Sequence, residues 1–104
     1  MDDMEFDDQV DKIIEQVEDE LDELEADLDI ESSAGVLTVN FPDGSTVILS
    51  RQSASHEIWI AARSGGFHLR WVDEQWRCQT TGETLSSLLG RVFTEQLQEP
   101  VSLL

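Results

Sequence analysis

Carboxylates dominate the side chains of this chain that could do chemistry, and they are crowded into one segment. Sixteen of the first 31 residues are Asp or Glu, with Lys12 the only base among them. If the segment is helical, Glu15–Asp19, Glu18–Asp22, Asp19–Glu23 and Glu23–Asp27 stand four apart, and Glu15–Glu18 and Asp19–Asp22 three apart. Residues at those spacings are surface neighbours on a helix. Clustered oxygen donors suit hard cations, and adjacent carboxylates can offer two or three ligands to one ion. The candidate ligands are Glu15, Glu18, Asp19, Asp22, Glu23, Glu25, Asp27 and Asp29. Nothing among them closes a coordination shell, so the expectation is exposed, weak, poorly selective sites whose ions keep several waters. The same ridge could instead steer the protein onto a basic protein groove.

Such crowding has a cost. Each like-charged pair is worth about 0.2–0.5 kcal/mol of destabilisation at low salt. Glu23, Glu25 and Asp27 also fall toward the negative end of the helix dipole, whereas Asp3 and Glu5 sit favourably at its start. Something apolar must hold the helix down. Phe6, Val10, Ile13, Ile14, Val17, Leu21, Leu24 and Leu28 recur in steps of three and four, which makes one buried stripe of an amphipathic helix. A disordered acidic tail would lack that stripe.

Beyond the helix the apolar period changes from 3.6 to 2. After a loop at 32–35, strands are predicted at 36–41, 46–51, 56–63, 67–72 and 75–78. They are separated by turn chemistry at Pro42-Asp43-Gly44-Ser45, Ser64-Gly65-Gly66 and Asp73-Glu74. A second helix follows Thr81-Gly82-Glu83-Thr84, with Leu85, Leu88, Leu89, Val92, Phe93 and Leu97 as its stripe and Pro100 beyond its end. The predicted fold is α+β, a two-layer sandwich of one domain over 1–104. Two helices pack on one face of a roughly five-stranded antiparallel sheet and leave the other face open.

Composition narrows the functional classes. The chain is 104 residues long with a net charge of -17, a poor match for nucleic acid or an anionic membrane. One Cys and two His are too few for a structural zinc site. No apolar run approaches a membrane span, and no signal peptide is evident, so a cytoplasmic location is expected. No Ser/His/Asp or Cys/His arrangement suggests an enzyme. A DNA mimic would need carboxylates over a wider surface than one helix edge.

The sheet carries a second candidate surface. Alternation in 56–63 sends Ile58 and Ile60 inward with His56 and Ala62, leaving Trp59 facing solvent beside Glu57, Ala61 and Arg63. An exposed Trp flanked by charge is a protein-contact anchor, the alternative being an indole that lies flat on the sheet. Arg70, Arg77 and His68 fall on the same open face, with Arg51 placed nearby. Trp71 and Trp76 are read as core, in step with Leu69 and Cys78, and Cys78 as a small buried hydrophobe.

Taken in order, these segments resemble a bacterial frataxin over nearly the whole chain. The resemblance rests on the acidic first helix, Arg51-Gln52, His56-Glu57-Ile58-Trp59-Ile60-Ala61, Ser64-Gly65-Gly66-Phe67-His68, Trp76-Arg77-Cys78, Thr81-Gly82-Glu83-Thr84 and Leu88-Leu89. The family commonly has Asn, Pro and Gln where this chain has Ser50, Ala54 and Glu57. The resemblance implies weak binding of Fe2+ or Fe3+ by the acidic residues, other divalent or trivalent cations substituting. It also implies docking onto a cysteine desulfurase and an iron–sulfur scaffold protein. Trp59, Arg51, Gln52, Glu57, Arg63, His68 and Arg70 then form the partner-binding set. The chain would act as a monomeric adaptor or regulator of iron–sulfur cluster assembly, its oligomeric state under excess iron left open. The alternative is a purely protein-binding regulator whose cation binding is incidental.

Overall fold

The computed structural model describes residues 1–24 and 26–104. Helix α1 (Asp3–Glu23) starts at Asp2, whose side chain accepts a hydrogen bond from the Glu5 amide at 2.8 Å. Its stripe of Phe6, Val10, Ile14, Val17 and Leu21 is buried. The helix ends five residues short of Leu28, the last residue of the apolar spacing, at a Leu24 with extended backbone. Leu24 and Leu28 still pack against the core, but from the connection that follows the helix.

Six strands follow, not five: β1 (Asp29–Ser33), β2 (Val36–Asn40), β3 (Thr46–Gln52), β4 (Glu57–Ala62), β5 (Gly65–Val72) and β6 (Gln75–Cys78). They form an antiparallel meander in sequence order. The extra strand occupies much of what the sequence suggested was helix end and loop. It carries one apolar residue, Ile30, and it is held as an edge strand by pairing with β2. A two-residue turn with Ala34 and Gly35 both at positive φ (51° and 80°) closes that hairpin. β5 begins at Gly65, so the turn before it is Arg63–Ser64 and Gly66 lies within the strand.

Register sorts the side chains. Leu37, Leu49, Ile60 and Phe67 stand opposite one another in successive strands, as do Ile58, Leu69 and Cys78. All seven are buried in one core cluster with both helices, so α1 and α2 (Leu85–Leu97) cover the same sheet face. Cys78 is buried, as expected. Trp76 is too, and its indole N–H donates to Gln9 Oε1 at 3.2 Å. Trp71 is a correction: it lies on the helix side as its alternation requires, yet it is 38 % exposed because the helix layer leaves it uncovered.

Polar ties fix the layers. Thr84 caps α2, accepting from the Ser87 amide. Buried Gln96 of α2 donates to Ser45 and to the Thr46 carbonyl and accepts from the Arg63 amide, so each of its polar atoms is used. Arg91 grips Glu83 with two parallel hydrogen bonds of 2.9 Å, reaches Glu95 at 3.0 Å, and lies over the Phe67 ring. Hydrogen bonds from Arg91 hold the Glu83 carboxyl below its ordinary 4.5.

A carboxylate depressed in the folded state adds stability above its unfolded value, and loses that contribution as pH falls through the folded value. Replacing Glu83 by Gln is expected to cost about 1 kcal/mol at pH 7, since Arg91 is partly exposed. The gap between Glu83→Gln and the parent, read from denaturant melts, should close as pH is taken below 4.5.

Candidate functional site

Two surfaces emerge from this frame. The first is the outer face of α1, whose carboxylates divide by position. In the N-terminal half, three of the five acids meet Arg51 of β3 or His56 of the turn before β4. Arg51 Nη1 lies 3.2 Å from Asp7 and 3.5 Å from Asp11, and the His56 ring bonds Asp3 while stacking on Phe6. In the C-terminal half, Glu15, Glu18, Asp19, Asp22 and Glu23 have no basic partner within ion-pair distance among the described residues. All five are exposed apart from half-buried Glu18, and α1 has no base in its last turn.

The predicted ridge does not run unbroken to residue 29. Asp27 lies in the connection after the helix, so the Glu23–Asp27 pairing at helical spacing is lost. Asp29 opens β1, opposite Asn40, and by alternation it stands with Glu31 on the open face at the sheet edge. Glu25 falls outside the described residues. Among the described residues no group of three or more His, Cys, Asp or Glu is placed to hold a metal ion. The carboxylates are neighbours without being a cage, which suits a hydrated cation held by one or two side chains at a time.

The second surface is the open sheet face. Ser50, Trp59 and His68 stand in register across β3, β4 and β5, with Val36 completing the row on β2. Glu57 is opposite Gln52, and it accepts from Arg70 Nε at 3.0 Å. Arg70 stands opposite Arg77. Hydrogen bonds from Ser55 and from Arg70 depress the Glu57 carboxyl, keeping it ionised on this face. Trp59 is half-buried and stacks with His68, ring centroids 6.1 Å apart. Its indole nitrogen lies 3.3 Å from where a Cβ on Gly66 would be. The indole therefore rests partly flat against the sheet, and Gly66 is what permits it.

The structure brings Gln52, Glu57, Trp59, His68 and Arg70 together and removes two predicted neighbours. Arg51 shares its side of β3 with Val47 and Leu49, so its guanidinium turns to the helix side, against Gly35 and the α1 acids. It braces the acidic helix rather than joining the open face. Arg63 lies in the turn beyond β4, where Asp43 holds it at 2.9 Å, away from the Trp59 row.

One residue of this surface was missed in the sequence: Gly66 was absorbed into turn chemistry, although a Gly inside a strand signals close approach. Ser50, one of the departures from the family pattern, stands in the same row as Trp59. It is 8 % exposed, and its hydroxyl is buried without a hydrogen-bond partner among the described residues.

The arrangement does not stand alone among known proteins. Residues 1–99 match the model of the frataxin-like domain. The chain is 50 % identical over 93 residues to the iron–sulfur cluster assembly protein CyaY of Stutzerimonas stutzeri, covering 88 % of this chain and 84 % of that one. The frataxin of Psychromonas ingrahamii superposes with a TM-score of 0.88 at 27 % identity, across 97 % of this chain and 96 % of the other. A trimeric frataxin of Saccharomyces cerevisiae in a ferrous complex gives 0.73 at 24 % identity, covering 91 % and 87 %, a likeness of fold alone. With a domain match over nearly all its length and half of 93 aligned residues shared with an assembly protein, the chain belongs to the frataxin family of iron–sulfur cluster assembly proteins.

Proposed function

We propose that this protein is a weak iron-binding adaptor that regulates iron–sulfur cluster assembly, with iron as cargo or signal and no catalysis of its own. One observation carries the reading: three of the five acids in the first half of α1 meet Arg51 or His56, and among the described residues the acids of its second half have no basic partner. A surface built only for solubility could have relieved that repulsion with a few lysines. The carboxylates from Glu15 to Glu23, with Asp27 of the connection that follows, take Fe2+ or a basic partner surface. The Trp59 face, with Gln52, Glu57, His68 and Arg70, docks on the cysteine desulfurase and scaffold. Half-buried Trp59 offers a large apolar contact whose position is already fixed by His68 and Gly66. The scattered carboxylates favour a second reading as well, in which the protein acts through contacts alone and cation binding is incidental.

Reversing charge at the end of α1 separates strain from fold. Asp22→Lys with Glu23→Lys turns the repulsions with Glu18, Asp19 and Glu20 into attractions and supplies the missing last-turn bases. The double variant should gain about 1 kcal/mol, or roughly 5 °C in Tm. It should also bind Fe2+ and the desulfurase roughly tenfold more weakly. An unchanged or lowered Tm contradicts the strain argument, and unchanged Fe2+ affinity leaves the contact-only reading. Trp59→Ala should weaken desulfurase–scaffold binding by about tenfold or more while leaving Fe2+ affinity alone. Calorimetry on the two variants reads both effects.

A further inference from the structure

The helix side of the sheet holds an apolar feature that neither surface above uses. α1, the β5–β6 hairpin and the start of α2 enclose an open groove of about 460 Å³. Trp71 forms one wall, 38 % exposed and edge-on to Trp76 with centroids 5.4 Å apart. Half-buried Ile13 forms the facing wall, and Leu104, 40 % exposed, closes one end. The volume is in the range of sites that take a compact apolar group, about 300–1,000 Å³.

Charge around the groove is arranged with some care. α1 has only two uncharged polar residues, Gln9 and Gln16, and both border it. Gln9 accepts from the Trp76 indole, and Gln16 donates to Glu20. An otherwise anionic helix therefore shows a neutral wall where a guest would be desolvated, because burying a bare carboxylate there would be costly. Carboxylates stand instead at the two ends. Glu20 sits by Leu104, accepting from its amide at 2.8 Å. At the other end lies the hairpin turn Asp73–Glu74, with φ of 51° and 62°. Two positive φ values in a two-residue turn favour Asn-Gly. This chain places two acids there instead. No basic side chain is among the residues lining the groove.

We propose that this groove is a docking surface for a basic protein segment, distinct from the Trp59 face. An aliphatic side chain of the guest seats between Trp71 and Ile13, while its Lys or Arg residues meet Glu74 and Asp73 at one end and Glu20 at the other. Like charge disfavours nucleic acid and anionic lipid as occupants. The surface lies across the sheet from Trp59, so the guest and a partner on the open face can be held together.

The three tryptophans give three indole N–H signals in a ¹H–¹⁵N spectrum of the full chain. The probe is acetyl-Arg-Lys-Leu-Leu-Lys-Arg-amide, and its control carries Ser in place of both Leu residues. The leucine peptide should shift Trp71 and Trp76 saturably below about 1 mM and leave Trp59 in place. The serine peptide should not. Trp71→Ala should abolish the saturable shift of Trp76. Glu74→Lys, on an exposed turn that tolerates exchange, should weaken binding about threefold. Equal effects of the two peptides, a shift led by Trp59, or a silent Trp71 at about 1 mM would each overturn the proposal.

Discussion

Everything in this molecule depends on the burial of one narrow stripe of α1. Phe6, Val10, Ile14, Val17 and Leu21 are between 0 and 7 % exposed. Burying each gains about 2 kcal/mol. Against that stand like-charged neighbours at about 0.2–0.5 kcal/mol a pair. The stripe wins by a wide margin, which is why a helix this anionic can persist without internal base pairing. Arg51 brings its positive charge to the first half, where the His56 ring also bonds Asp3. Among the described residues the carboxylates of the second half have no basic partner, and the packing does not need one. Fold stability comes from the inner face of the helix, and the outer face is left free for function.

The sheet repeats this division with a different period. One side of β4 supplies Ile58 and Ile60 to the core, fully buried, and the other presents Trp59. Both helices cover the same face, so the opposite face is open by construction, and its rows gather residues from β2 to β6. Two chemically unlike surfaces therefore follow from two amphipathic patterns: an anionic one from the helix and an aromatic–cationic one from the sheet. That pairing suits an adaptor better than a catalyst.

Strong patterns were legible in the sequence, and weakly patterned segments were not. Both helix stripes and the inward set of β4 followed from apolar spacing, because burial is what the spacing encodes. Strand β1 was hidden: Asp29–Ser33 has one apolar residue, and its pairing with β2 comes from backbone hydrogen bonds and a turn at Ala34–Gly35. The helix end was hidden for the opposite reason. Leu24 and Leu28 continue the helical spacing while packing from a connection. Trp71 follows the inward alternation, yet no periodicity tells how far a helix layer extends over a strand. Arg51 is different, since its alternation with Val47 and Leu49 already placed it inside.

The division of α1 into a braced half and an open half is tested most directly by backbone amide NMR. Fe2+ is titrated anaerobically into the full chain, and the purified cysteine desulfurase is then added. Iron should perturb Glu15 to Glu23 and Asp27 while leaving the region around Asp3, Asp7 and Asp11 little changed. The desulfurase should then perturb that same segment together with Trp59. Iron shifts centred on the Arg51-braced acids, or spread evenly along the helix, would contradict it.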